Sequence, residues 1–155
     1  MTLLAVLAMV FGIHANPLHP DALTAAAREH HADLPLVGAI ALKESGVGTY
    51  GTILTGAHLR LPMAACMADP AFAARVRAAR RAHRRSPLCL NRDPDAQATY
   101  TARLFGGVAR RHWPRMLATY RCGPDPACRQ TAGAAYAVRV LGLREQIATA
   151  MRRGR

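Results

Sequence analysis

Aspartate beside proline recurs along this chain where apolar stretches with helical spacing begin. Pro20-Asp21, Asp33-Leu34-Pro35, Asp69-Pro70 and Asp93-Pro94-Asp95 each stand at such a start. An aspartate side chain accepts hydrogen bonds from the free N–H groups of a first helical turn. Proline fits that turn because the N–H it lacks has no partner there. The pattern predicts one helix from Asp21 to about His31 and another from Asp33 to Glu44. A third starts at Asp69 with Phe72, Val76, Ala79 and His83 on its apolar side. A fourth starts at Asp93 with Ala96, Tyr100 and Leu104 in line and ends at Gly106-Gly107. Trp113, Met116, Leu117 and Tyr120 give a fifth helix ending near Cys122-Gly123. The sixth runs through Tyr136, Val140 and Leu141, and Gly142 is expected to break or kink it before a tail helix with Leu143 and Ile147. Residues 46 to 64 hold Gly46, Gly48, Gly51, Gly56 and Pro62 with no helical period. They read as an irregular segment with a short hairpin around Tyr50 to Leu54. The fold class is therefore mainly α. No repeat or linker divides the chain, and 155 residues suffice for one core.

Residues 1–15 read as a secretory signal, with a short apolar core and a cleavage site after Ala15, leaving residues 16–155 as the domain. The run is too short to span a bilayer, which takes ~20 residues. No lysine or arginine precedes the apolar core, so a first helix packed into the fold is the other reading. Cys66, Cys89, Cys122 and Cys128 make an even count, which with export implies two disulfides in an oxidising compartment, periplasmic or extracellular. Four cysteines allow three pairings. The turn-rich loop from Cys122 to Cys128 suits a local bridge, which would leave Cys66 for Cys89. No pair has the spacing of a zinc knuckle, so no metal or cofactor is expected.

The net charge is +12, and Lys43 is the one lysine. Such a field favours anionic partners: wall polymer, phospholipid or nucleic acid. Arg75, Arg77, Arg80, Arg81, Arg84 and Arg85 cover much of the third helix. Aromatic residues that would stack on bases are absent from that run, so it reads as a solvated face and nucleic acid is not an expected partner. Ser45 and Ser86 are the only serines and neither sits in a nucleophile elbow. No metalloprotease motif or phosphate loop is present.

Glu44 remains as the candidate for chemistry. It is one of three glutamates and closes the apolar run Leu36-Val37-Gly38-Ala39-Ile40-Ala41-Leu42-Lys43-Glu44-Ser45-Gly46. The end of a helix places a carboxyl group among partially negative carbonyls, and a cleft-lining acid that holds its proton is what glycosidic cleavage requires. A solvated glutamate at a helix end is the plain alternative.

Ala39 to Gly46 resembles the Glu-Ser motif of lytic transglycosylases, the lysozyme-like enzymes that cleave peptidoglycan. Arg92-Asp93-Pro94 through Tyr100 and Leu104 is similar to the middle helix of that family. Trp113 to Gly123 is similar to its segment ending Ala-x-Tyr-Asn-x-Gly, and Ala135-Tyr136-Ala137-Val138-Arg139-Val140-Leu141 to its closing Tyr-Val-x-x-Val-Leu helix. The pieces stand in the family's order and cover most of residues 22 to 147. The resemblance implies a lysozyme-like domain in which Glu44 is the catalytic acid and base. Ser45, Tyr100, Tyr120 and Tyr136 would contact peptidoglycan glycan strands, and the product would be a 1,6-anhydro sugar made by a monomer. Arg121 stands where the family has asparagine, and residues 47 to 63 lack its glutamine-bearing turn. A basic wall-binding protein of the same fold without catalysis is the alternative.

Overall fold

The structure is a computed structural model that describes residues 1–12, 19–44, 61–87, 89 and 93–154. Ala15, Ser45 and the hairpin expected over Tyr50 to Leu54 lie outside the described residues, as does Arg92. Among the described residues the regular structure is helical, without strands. The order is α1 (Leu3–Phe11), α2 (Pro20–Glu29), α3 (Leu34–Glu44), α4 (Met63–Met67), α5 (Pro70–Arg81), α6 (Pro94–Phe105), α7 (Trp113–Cys122), the single turn α8 (Pro126–Cys128) and α9 (Ala134–Arg153). A 3-10 turn, Arg110–His112, leads into α7, and a wide π turn, Arg129–Gly133, leads into α9.

The caps explain most helix starts. Asp33 Oδ1 accepts from the Leu36 N–H at 2.8 Å, Asp69 Oδ1 from Ala71 at 2.9 Å, and Asp93 Oδ2 from Ala96 at 3.2 Å. Asp21 is the exception. Pro20 already occupies the first helical position, so Asp21 sits inside the first turn of α2 rather than capping it. Asp125, within the loop expected only to turn, caps α8 through the Ala127 and Cys128 N–H groups.

Helix α3 forms the centre. Every residue from Leu36 to Leu42 is buried, so this helix is surrounded on all sides. α9 packs along it, and α1, α2, α6 and α7 contribute the rest of the main core. At Gly38 an added Cβ would stand 3.3 Å from Leu3 Cδ1 and 3.5 Å from Ile147 Cδ1, so the missing side chain brings α1 and α9 close to α3. Leu3, Val6 and Leu7 of α1 are buried. The apolar N-terminal run therefore packs as a first helix in this structure.

Three expected features differ. Helix α9 continues unbroken through Gly142, because Tyr136, Ala137, Val140, Ile147 and Ala148 bury one long face. That packing exceeds the ~1 kcal/mol cost of an interior glycine. Helix α6 buries Gln97, Ala98, Thr101, Ala102 and Phe105, which leaves Tyr100 half-buried and Leu104 exposed. Thr101 is tolerated inside because its hydroxyl donates to the Gln97 backbone carbonyl one turn earlier, at 3.2 Å. His83 lies beyond the end of α5, exposed and with φ 51°, and is no part of its apolar side. The six arginines from Arg75 to Arg85 are all exposed.

The cysteines pair as Cys66–Cys89 and Cys122–Cys128. The first bridge encloses α5, and Phe72, Val76, Cys89 and Cys66 pack as a small core of their own. The second closes the turn between α7 and α8. No helix among the described residues is long and apolar enough to cross a membrane.

Candidate active site

The site begins with the termini of two helices. Glu44 is the last residue of α3 and is half-buried. Tyr136 stands in the first turn of α9, 5% exposed, and its hydroxyl donates to Glu44 Oε1 at 2.8 Å. The ring of Tyr120, from α7, stacks on Tyr136 with centroids 6.2 Å apart and planes 25° from parallel. Phe105 of α6 backs Tyr120 at 6.3 Å. Three helices thus supply one packed aromatic wall behind the carboxylate.

Both tyrosines hold their protons far more tightly than a free tyrosine. Burial is the main cause for each, and the charge of Glu44 is the second. For Tyr136 the hydrogen bond to Glu44 adds to this, while the nearby Arg121 charge works in the opposite direction. Tyr136 therefore remains a hydrogen-bond donor at neutral pH, fixing the orientation of the carboxyl group it meets.

Glu44 opens into a cleft of about 550 Å³ lined by Lys43, Glu44, Arg121, Ala132, Ala135, Tyr136 and Arg139. Of the residues expected from sequence, the structure brings together Glu44, Tyr120 and Tyr136. Tyr100 lines a neighbouring groove of about 830 Å³ with Leu104, Val108, Met116 and Tyr120. Ser45 lies outside the described residues. Arg139 and Lys43 were not singled out by sequence reasoning. Arg139 follows Tyr136 by three positions and so shares its helix face, a signal that needs the partner residue to be known first.

At its other end α3 is held by a second polar contact. Arg144, 7% exposed, donates from Nε to Asp33 Oδ1 at 3.1 Å and from Nη2 to Oδ2 at 2.7 Å. Its Nη1 reaches Glu145 at 2.6 Å, Arg110 joins Glu145 at 3.1 Å, and both arginines lie over the Trp113 ring. Hydrogen bonding to Asp33 holds the Arg144 guanidinium more firmly charged than usual, outweighing its burial. Asp33 is thus committed to a cap and an ion pair, and Asp69 to a cap. Among the described residues lining the cleft, Glu44 is the one carboxylate. No cluster of three or more potential metal ligands occurs among the described residues. No protein-family model matches this chain, and neither a curated protein nor a solved structure matches it significantly.

Proposed function

We propose that this chain is a lysozyme-like lytic transglycosylase that cleaves the MurNAc–GlcNAc bond of peptidoglycan with Glu44 as its one acid and base. The observation that carries the reading is the Glu44 carboxyl group, anchored by Tyr136 at 2.8 Å and open to a cleft. Glu44 gives its proton to the glycosidic oxygen as the C1–O bond breaks. The N-acetyl carbonyl oxygen of the substrate supports the charge developing at C1 in place of a second carboxylate. The Glu44 carboxylate then takes the proton of the sugar's 6-hydroxyl, O6 closes onto C1, and a 1,6-anhydro product leaves without consuming water. Tyr136 occupies Oε1, so proton transfer runs through Oε2. Two disulfides suit an oxidising compartment, and we assign the protein to the periplasm or the secreted fraction, as a monomer.

Digestion of purified sacculi tests this. Anhydro-muropeptides should form with the wild type and fall by roughly 10²–10⁴-fold in Glu44→Gln. The presence of Arg121 in the cleft favours a second reading, a basic wall-binding protein without catalysis. Sacculus binding without anhydro products, unchanged in Glu44→Gln, would establish that reading instead.

A further inference from the structure

The charge lining the Glu44 cleft is unbalanced. Lys43 comes from α3, Arg121 from α7 and Arg139 from α9, so three helices each direct a cation into one concavity. None of the three forms an ion pair with a described residue, whereas Arg110 and Arg144 are both paired. This differs from the arginines of α5, which spread along a single exposed helix. Converging like charges repel, and a bound anion relieves that repulsion. Arg121 lines the same cleft as Glu44 and Tyr136, so its charge faces the Glu44 end. A guanidinium offers a planar fork that matches a carboxylate, and two of the three cations are arginines.

We propose that Arg121 and Arg139 form a carboxylate-recognition site beside Glu44 that selects acidic over neutral N-acetylated glycans. The identity of the polymer rests on the transglycosylase reading. The carboxylate has two sources in such a polymer: the lactyl group of a sugar stripped of its peptide, or the peptide stem. The arginine at position 121 then alters substrate choice rather than abolishing activity.

Equilibrium binding to the full chain carrying Glu44→Gln, which leaves ligands uncut, separates the outcomes. The ligands are a neutral chitin oligosaccharide, amidase-stripped glycan strands with free lactyl carboxylates, and strands with intact stems. At least one acidic ligand should bind roughly tenfold more tightly than the neutral one at low salt. Preference for stripped strands identifies the lactyl source; preference for intact strands identifies the stem. Adding Arg121→Asn and Arg139→Gln should remove the preference, because binding of the acidic ligands falls to the level of the neutral one. Arg121→Lys with Arg139→Lys should restore it only in part. Both arginines are exposed, and an unchanged melting temperature would confirm that the variants fold. Equal binding of neutral and acidic ligands, or equal loss of both on substitution, overturns the proposal. Wild-type digestion of sacculi is scored separately. If anhydro products are absent but the preference persists, the carboxylate site stands and the transglycosylase reading falls.

Discussion

Tyr136 and Glu44 join the start of α9 to the end of α3 through one 2.8 Å hydrogen bond. Arg144 and Asp33 join the same helices at the opposite end of α3, so the two run antiparallel with a polar contact near each end of α3. The apolar faces between them supply adhesion, and the polar contacts fix register. Glu44 is consequently positioned by a helix that can neither slide nor roll freely.

Tyr136→Phe removes the hydroxyl and keeps the ring. We expect a stability loss of about 1.5–3 kcal/mol, since one hydrogen bond to a charged group is involved. Turnover on sacculi should fall by at least roughly tenfold with KM little changed, because an unanchored carboxyl group spends less time in its reactive orientation. Steady-state kinetics beside thermal melts checks the split.

The buried tyrosines predict an alkaline limit. Tyr120 and Tyr136 ionise well above the ~10 of an unfolded tyrosine. Above that pH the unfolded chain releases protons that the folded chain retains, which draws the equilibrium toward unfolding. The contribution is whole below pH ~10 and lost as pH rises beyond it. Of the four tyrosines, two should show phenolate absorbance only as the protein unfolds. Tyr120→Phe with Tyr136→Phe should flatten the decline of stability with pH.

Asp33 serves both a cap and a buried arginine, and two substitutions separate the roles. Asp33→Asn keeps an acceptor for the Leu36 N–H and loses the charge facing Arg144. Asp33→Ala loses both. We expect the alanine variant to be destabilised by about 3–5 kcal/mol, as for a buried pair robbed of one partner, and the asparagine variant by less. Urea unfolding measures the difference.

Reduction should act locally first. Cys66–Cys89 sits in the small apolar cluster of α4 and α5, where Phe72 and Val76 supply little else to bury. Replacing both cysteines by serine should raise amide exchange across residues 61–87 while α3 and α9 stay protected. Loss of the bridge should cost ~3 kcal/mol within that unit. Uniform loss of protection across the protein would contradict the partition.

Secretion predicts a mature chain starting near Asn16 without free thiols, read from the intact mass of protein recovered from its native host. That chain lacks Leu3, Val6 and Leu7, each worth ~1.5–3 kcal/mol when buried. Its melting temperature should lie below that of the chain beginning at Met1.

Local chemistry was the part of the fold legible in the sequence. Asp33, Asp69 and Asp93 cap helices because a side-chain acceptor and its N–H donors lie within three residues, and the cysteine loops closed as their spacing suggests. Features set by distant packing were not legible. The burial of Gln97 and Thr101 depends on α2 lying against α6, and the survival of α9 through Gly142 on the length of its buried face. At the site, a single helix end pointed to Glu44, and only the resemblance to lytic transglycosylases brought in Tyr120 and Tyr136. Arg139 and Lys43 gain meaning only once α3, α7 and α9 meet, and the Asp33–Arg144 pair spans 111 positions of sequence.

The reliance of the core on α9 sets a timetable for synthesis. This helix runs to Arg153 and packs against α1, α3 and α7, so the cover of all three stays incomplete until α9 has been made. Such distant pairings close slowly. A nascent chain with an uncovered apolar α3 is exposed to aggregation and suited to holding chaperones. The same delay keeps α3 open to solvent for longer, because the helix that locks the fold is made after the helices it covers.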